Sequence, residues 1–215
     1  MTQFKDRRDA GKSLSKGLMR YASREDVMIL GLPRGGVPVA FEISRALDCP
    51  MDVFIVRKLG HPQQEELALG AIASGGVRVL NEHIVESPAI DEKIITEVTA
   101  RERKELQRRE RLYRGENPWP GLEGKTIILV DDGIATGATM KAAVAALRKQ
   151  NVSKTIVAVP AAPPEICEEL EELVDEMVCL IKPSPFLAVG QWYGDFSQTS
   201  DREVKNFLEK ASLPR

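Results

Sequence analysis

The stretch Thr126–Thr139, TIILVDDGIATGAT, constrains this chain more than any other. An apolar run rich in β-branched residues stops at two adjacent acids. A loop of small residues and hydroxyls follows, and then a helical pattern begins. Continuous apolar runs of this length are strands buried on both faces of a parallel sheet. At the carboxyl end of such a strand, side chains emerge from the core into the crevice where ligands bind. Asp131 and Asp132 stand there, able to accept hydrogen bonds from vicinal sugar hydroxyls or to reach a Mg²⁺ that binds them. Gly133, Ala135, Gly137 and Ala138 leave backbone amides open to an anion, and Thr136 and Thr139 add hydroxyls. The helix start adds free amides and a positive dipole end. The pattern predicts a cradle for a monophosphate beside a sugar diol. It is not a Walker loop, because no Gly-Lys-Ser/Thr follows the glycine.

The rest of the chain supports an α/β reading. Val27–Leu32, Met51–Val56, Lys125–Val130, Thr155–Val159 and Met177–Ile181 read as strands. Gly70–Ser74 and Val77–Leu80 read as a hairpin split by Gly75-Gly76. Helices are predicted over Val37–Leu47 and Thr139–Gln150, and from Pro163-Pro164 through Val174. The last, Asp201–Lys210, has Asp201 at its N-cap. Asp91–Arg114 reads as a long solvated helix with interleaved charges. Asp6–Leu18 reads as a helix packing on the sheet edge, with Arg7 and Arg8 able to reach a neighbouring phosphate site but favoured as surface charge. Strands alternating with helices imply a mostly parallel sheet flanked by helices.

Composition removes several classes. Thirty basic and 32 acidic residues give a net charge of −2, which argues against nucleic acid as a partner. Cys49, Cys167 and Cys179 have no CxxC spacing, so neither a disulfide framework nor a zinc cage is expected, and a reducing cytoplasm is the natural setting. The start carries no apolar signal-peptide core, and no apolar run approaches the ~20 residues that span a bilayer.

The segment 126–139 resembles the signature by which type I phosphoribosyltransferases bind phosphoribosyl pyrophosphate (PRPP). The resemblance implies an α/β fold with a small C-terminal hood, in one domain covering 1–215. Its core would run from about 25 to 182 and its hood over about 183–200 plus the last helix, with 91–114 as an inserted helix. It implies that Asp131 to Thr139, including Gly133 and Ile134, bind PRPP. A second loop, Leu32–Val37 (LPRGGV), matches the family's pyrophosphate loop, so Arg34, Gly35 and Gly36 would bind pyrophosphate there. That loop often holds a non-proline cis peptide in the family. Arg57 and Lys58 resemble basic residues that reach the leaving group, which makes Asp131, Asp132, Arg34 and Lys58 the candidate catalytic set. Leu59–Leu69 occupies the place of a flexible lid, where His61 and Glu65 could assist.

In the hood, VGQWYGDF resembles a segment of the hypoxanthine-type enzymes. Lys182, Trp192 and Tyr193 become candidates to contact the base, and Asp195 joins Asp131 and Asp132 as a candidate metal contact. The implied reaction transfers phosphoribosyl to a nucleobase, purine rather than pyrimidine, and releases pyrophosphate. Mg²⁺ would be the cofactor, carried mainly by substrate oxygens, and the assembly a homodimer. Ala135 departs from the hypoxanthine-type loop, which has aspartate there, and matches the adenine type. Gly133 departs from the common β-branched residue and should loosen the loop. The rival implication is a regulatory protein that binds PRPP or a nucleotide without catalysis. A pyrophosphokinase is built from two such domains, and the single copy of the motif here argues against it.

Overall fold

The computed structural model describes residues 3–87 and 90–212, the side chains of residues 65–67 excepted. Asp6 opens α1 (Arg7–Ser15) by accepting the Asp9 amide, and a 3₁₀ turn at Lys16–Tyr21 extends it. There follow β1 (Val27–Gly31), α2 (Gly36–Leu47), β2 (Met51–Val53), β3 (Val56–His61), β4 (Gln64–Ala73) and β5 (Val77–Leu80). The chain continues through α3 (Glu82–Val85), α4 (Glu92–Arg114), β6 (Thr126–Val130), α5 (Ala138–Arg148) and β7 (Lys154–Ala161). It ends with α6 (Pro164–Glu171), β8 (Glu176–Ile181), a 3₁₀ turn at Val189–Trp192 and α7 (Asp201–Ala211).

The central sheet is parallel throughout, in the order β2-β1-β6-β7-β8. Its strands alternate between two buried faces, as period-two geometry requires. Val27, Ile29, Ile128, Val130, Ile156 and Ala158 pack under α1 and α2, through Leu14, Val39 and Ile43. Met28, Leu30, Ile127, Leu129, Val157 and Val159 pack under α5 and α6, through Val144, Leu147 and Leu170. This is the α/β architecture expected from the alternating pattern. The amino-terminal helix packs beside α2 over β7 and the edge strand β8, as expected of a helix at the sheet edge.

Other expectations need correction. Met51–Val56 is not one strand. The chain leaves the central sheet after Val53, and Ile55 joins a second sheet, donating its amide to Ser74 Oγ and accepting from the Ser74 amide. That second sheet is antiparallel, β3-β4-β5. Its first hairpin takes in Leu59–Leu69, so the segment expected as a lid is formed of two strands and a tight turn. His61 is buried there, and its Nδ1 accepts the Gln63 amide at 3.2 Å, a turn-closing contact. The Glu65 side chain lies outside the described residues. The charged helix is not merely solvated. Ile95, Val98, Leu106 and Tyr113 of α4 are buried against Leu59, Leu69 and Ile72 of the second sheet and against Val204 and Leu208 of α7. The helix α6 ends at Glu171, short of Val174. Ser200, not Asp201, caps α7, in a reciprocal capping box with Glu203. Among the described residues, no helix is long and apolar enough to cross a membrane.

Candidate functional site

Strands β1 and β6 are neighbours, yet their chains run on in opposite directions. From β1 the chain passes through α2 to β2, and from β6 through α5 to β7. Their carboxyl ends therefore frame a crevice at the switch point of the sheet. Register fixes their level: Gly31 pairs with Val130, and the Leu32 amide donates to Val130 O at 2.8 Å. The two loops singled out from sequence both emerge there, in contact. A Cβ on Gly35 would lie 2.0 Å from Asp132 Oδ2. On Gly36 it would lie 2.5 Å from Val130 O. Only glycine allows so close an approach. The Pro33–Arg34 peptide is cis, as the resemblance implied.

Between the loops stands the acid pair. The Asp132 amide donates to Asp131 Oδ1 (2.8 Å), and Arg7 Nε donates to Asp132 Oδ2 (2.7 Å). Burial, reinforced by the neighbouring Asp132, pushes the Asp131 carboxyl well above the usual carboxylate range. Burial also raises Asp132, against the opposing pull of Arg7. Groups that donate hydrogen bonds or bring positive charge would favour the ionised pair.

Beyond the acids, Ile134 is a core residue whose amide binds Ala161 O at 2.9 Å, anchoring the loop. Ala135, Thr136, Ala138 and Thr139 are exposed. Gly137 sits at the N-cap of α5 with φ +75° and no side-chain cap, so the first amides of the helix stay available to an anion. Gly133 does not loosen the loop. A Cβ there would fall 2.5 Å from Val189 Cγ1, so its absence lets the hood pack down on the loop.

The basic residues divide. Arg34 stays at the crevice and faces Asp201, 3.8 Å away, whose Oδ1 also accepts from the Tyr113 hydroxyl at 2.6 Å. Arg57 does not join the two loops: its guanidinium donates twice to Glu102 of α4, at 2.9 and 2.6 Å. Lys58 is exposed.

In the hood, Lys182, Pro183, Leu187 and Trp192 line a largely apolar cavity of about 840 Å³. Lys182 Nζ lies 3.0 Å from Glu171 Oε1. Trp192 Nε1 is buried and has no hydrogen-bond partner among the described residues. Tyr193 faces the acid loop. It is buried between Phe4 and Phe196, and its hydroxyl donates to Asp132 O at 2.5 Å. Asp195 is exposed and accepts the Ser197 amide at 2.9 Å. Among the described residues, no cluster of three or more His, Cys, Asp or Glu forms that could hold a metal ion. The sequence singled out Arg7 for a phosphate site or for surface charge, not for the acid it holds. Its partner lies 125 positions away, and an arginine in a charged leader carries no local signal of such a contact.

The family model for the phosphoribosyl transferase domain matches residues 2–191. Two curated relatives, from two strains of Mycobacterium tuberculosis and both named "Putative phosphoribosyl transferase", are 49% identical over 212 residues. The chain spans about half their length, since the alignment covers 98% of it and 47% of each of them. A crystal structure from Thermus thermophilus is 39% identical and superposes with a TM-score of 0.87, covering 98% of this chain and 100% of that one. A domain match through nearly the whole chain, in the company of relatives this similar, makes it a member of the phosphoribosyl transferase domain family.

Proposed function

We propose that this chain transfers a 5-phosphoribosyl group from PRPP to a nucleobase, a purine rather than a pyrimidine, with release of pyrophosphate. The observation that carries the reading is the contact of the two glycine loops at the switch point, with the paired acids between them. In this reading the amides and hydroxyls of residues 135–139 bind the 5′-phosphate, and Asp131 and Asp132 accept from the ribose hydroxyls. As the C1–oxygen bond to pyrophosphate breaks, the sugar gains positive charge, which the two carboxylates favour. Arg34, Gly35, Gly36 and Lys58 take up the departing negative charge. A base nitrogen then bonds to C1. Positioning and charge stabilisation suffice, without a covalent enzyme intermediate.

The acid pair also fits a Mg²⁺ that arrives on the diphosphate. It offers carboxylate oxygens at the crevice without a third protein ligand. Mg²⁺ would neutralise charge on the departing pyrophosphate, with Asp131 and Asp132 as its protein contacts. The hood cavity supports the acceptor assignment. It has room for a planar bicyclic ring beside Trp192.

The test is pyrophosphate release from PRPP and Mg²⁺, with adenine, guanine, hypoxanthine, xanthine, uracil and orotate added singly. Release that depends on one purine is expected. The double variant Asp131→Asn/Asp132→Asn should lose transfer by about a hundredfold or more and keep its circular dichroism spectrum. Full activity in that variant would remove the acids from the site. Silence with every base, beside measurable PRPP binding, would favour a ligand-binding regulator.

A further inference from the structure

We propose that Arg7 is a positioning residue for the acid pair: by holding Asp132 it joins the first helix and the C-terminal hood to the sugar site. The proposal rests on the phosphoribosyl reading above and gives that site a residue from outside its two loops.

Three contacts hold the Arg7 side chain, which is only 11% exposed. Nε donates to Asp132 Oδ2 at 2.7 Å, Nη1 donates to Ser197 O at 2.6 Å, and the guanidinium lies 4.0 Å from the centre of the Phe196 ring. A planar fork that ion-pairs, donates and stacks at once is what arginine offers and lysine does not. Arg8, one position on, makes the contrast. It pairs with Glu42, but its side chain stays half exposed, at 50%. The backbone of Arg7 is fixed as well, since it is the first residue of α1, directly after the capping Asp6.

The residues around Arg7 form one laced unit. The Phe4 amide donates to Trp192 O, and the Gly194 amide returns to Phe4 O, both at 2.8 Å. The Asp195 amide donates to Lys5 O at 2.9 Å, and Gln3 Nε2 donates to Tyr193 O at 2.9 Å. Tyr193 in turn donates to Asp132 O. Asp132 is thus gripped at its amide by Asp131, at its carbonyl by the hood and at its carboxylate by α1. A buried ion pair adds little net stability, because desolvation offsets the attraction. Orientation is what this one supplies. It sets one carboxylate of the pair against the glycine loop, and it ties the sugar site to the segment that carries Trp192.

The experiment is calorimetric titration of the full chain with PRPP and Mg²⁺ and, separately, with inorganic pyrophosphate and no added metal. The proteins are wild type, Arg7→Gln, Arg7→Lys, Asp132→Asn and the Arg7→Gln/Asp132→Asn double variant. Arg7→Gln should weaken PRPP binding by about tenfold or more and leave pyrophosphate binding within about twofold, with Arg7→Lys in between. The double variant should bind PRPP no more weakly than Asp132→Asn alone, because Arg7 acts through Asp132. Equal losses for both ligands, or additive losses in the double variant, would overturn the proposal. Should Arg7→Gln fail to fold, Arg7→Lys carries the same comparison. A wild type that binds neither ligand would sink the phosphoribosyl reading instead.

Discussion

Gly35 and Asp132 show how closely single residues are matched in this site. The space a side chain would fill at Gly35 is taken by a carboxylate oxygen, 2.0 Å from the ideal Cβ position. That oxygen cannot simply swing away, because Arg7 holds it. Gly35→Ala should therefore keep the fold and weaken PRPP binding by about tenfold or more, read by calorimetry. Gly121→Ala, where a Cβ meets nothing within 4 Å, should leave binding unchanged. The need for glycine in PRGG was legible from the anion it would approach. That the nearest neighbour is an acid of the other loop was not, since the two loops are almost a hundred positions apart in sequence.

Among the elements, α4 is where charge hides packing. Its buried residues Ile95, Val98, Leu106 and Tyr113 are sparse among Arg, Lys and Glu, so the amphipathic stripe is narrow in sequence. Yet the stripe joins the second sheet to α7. Leu106→Ala should cost about 3 kcal/mol in urea unfolding, whereas Arg103→Ala, on the exposed side, should stay within about 0.5 kcal/mol.

The same helix has a pH-dependent contact. Hydrogen bonds from Arg108 and then Arg109 hold the Glu105 carboxyl down, from 4.5 to about 2. A depressed carboxyl contributes stability above its unfolded value and loses it as pH falls through the folded one. Glu105→Gln should thus be less stable than wild type by about 0.5 kcal/mol at neutral pH, discounted for solvent screening. The difference should shrink between pH 4.5 and about 2, as followed by melting temperature. A difference independent of pH would mean the pairs contribute through packing alone.

At the scale of the whole molecule, the hood and the amino-terminal segment close over the carboxyl edge of the sheet. Trp192 lies on that closure, beside Phe186 with ring centres 6.1 Å apart and against the hood cavity. Trp192→Ala should weaken nucleobase binding by about tenfold and PRPP binding by no more than about twofold. Equal effects on both ligands would take Trp192 out of the acceptor site. Tyr193, its neighbour, should behave differently, because its hydroxyl serves Asp132 O. Tyr193→Phe should weaken PRPP binding rather than base binding.

The parallel sheet, most of its helices and the two glycine loops were legible in local pattern. Each of these depends on short-range order: a strand buried on both faces is an unbroken apolar run, and a loop that meets an anion needs glycines and hydroxyls at adjacent positions. Only the tertiary structure decided what surrounds the acids. Arg7 comes to Asp132, Tyr193 turns inward and Arg57 turns to Glu102 through contacts between distant parts of the chain. The same residue types on a surface would read identically in sequence. Desolvation and partner geometry, which exist only after folding, separate a solvated arginine from one that holds a carboxylate in place.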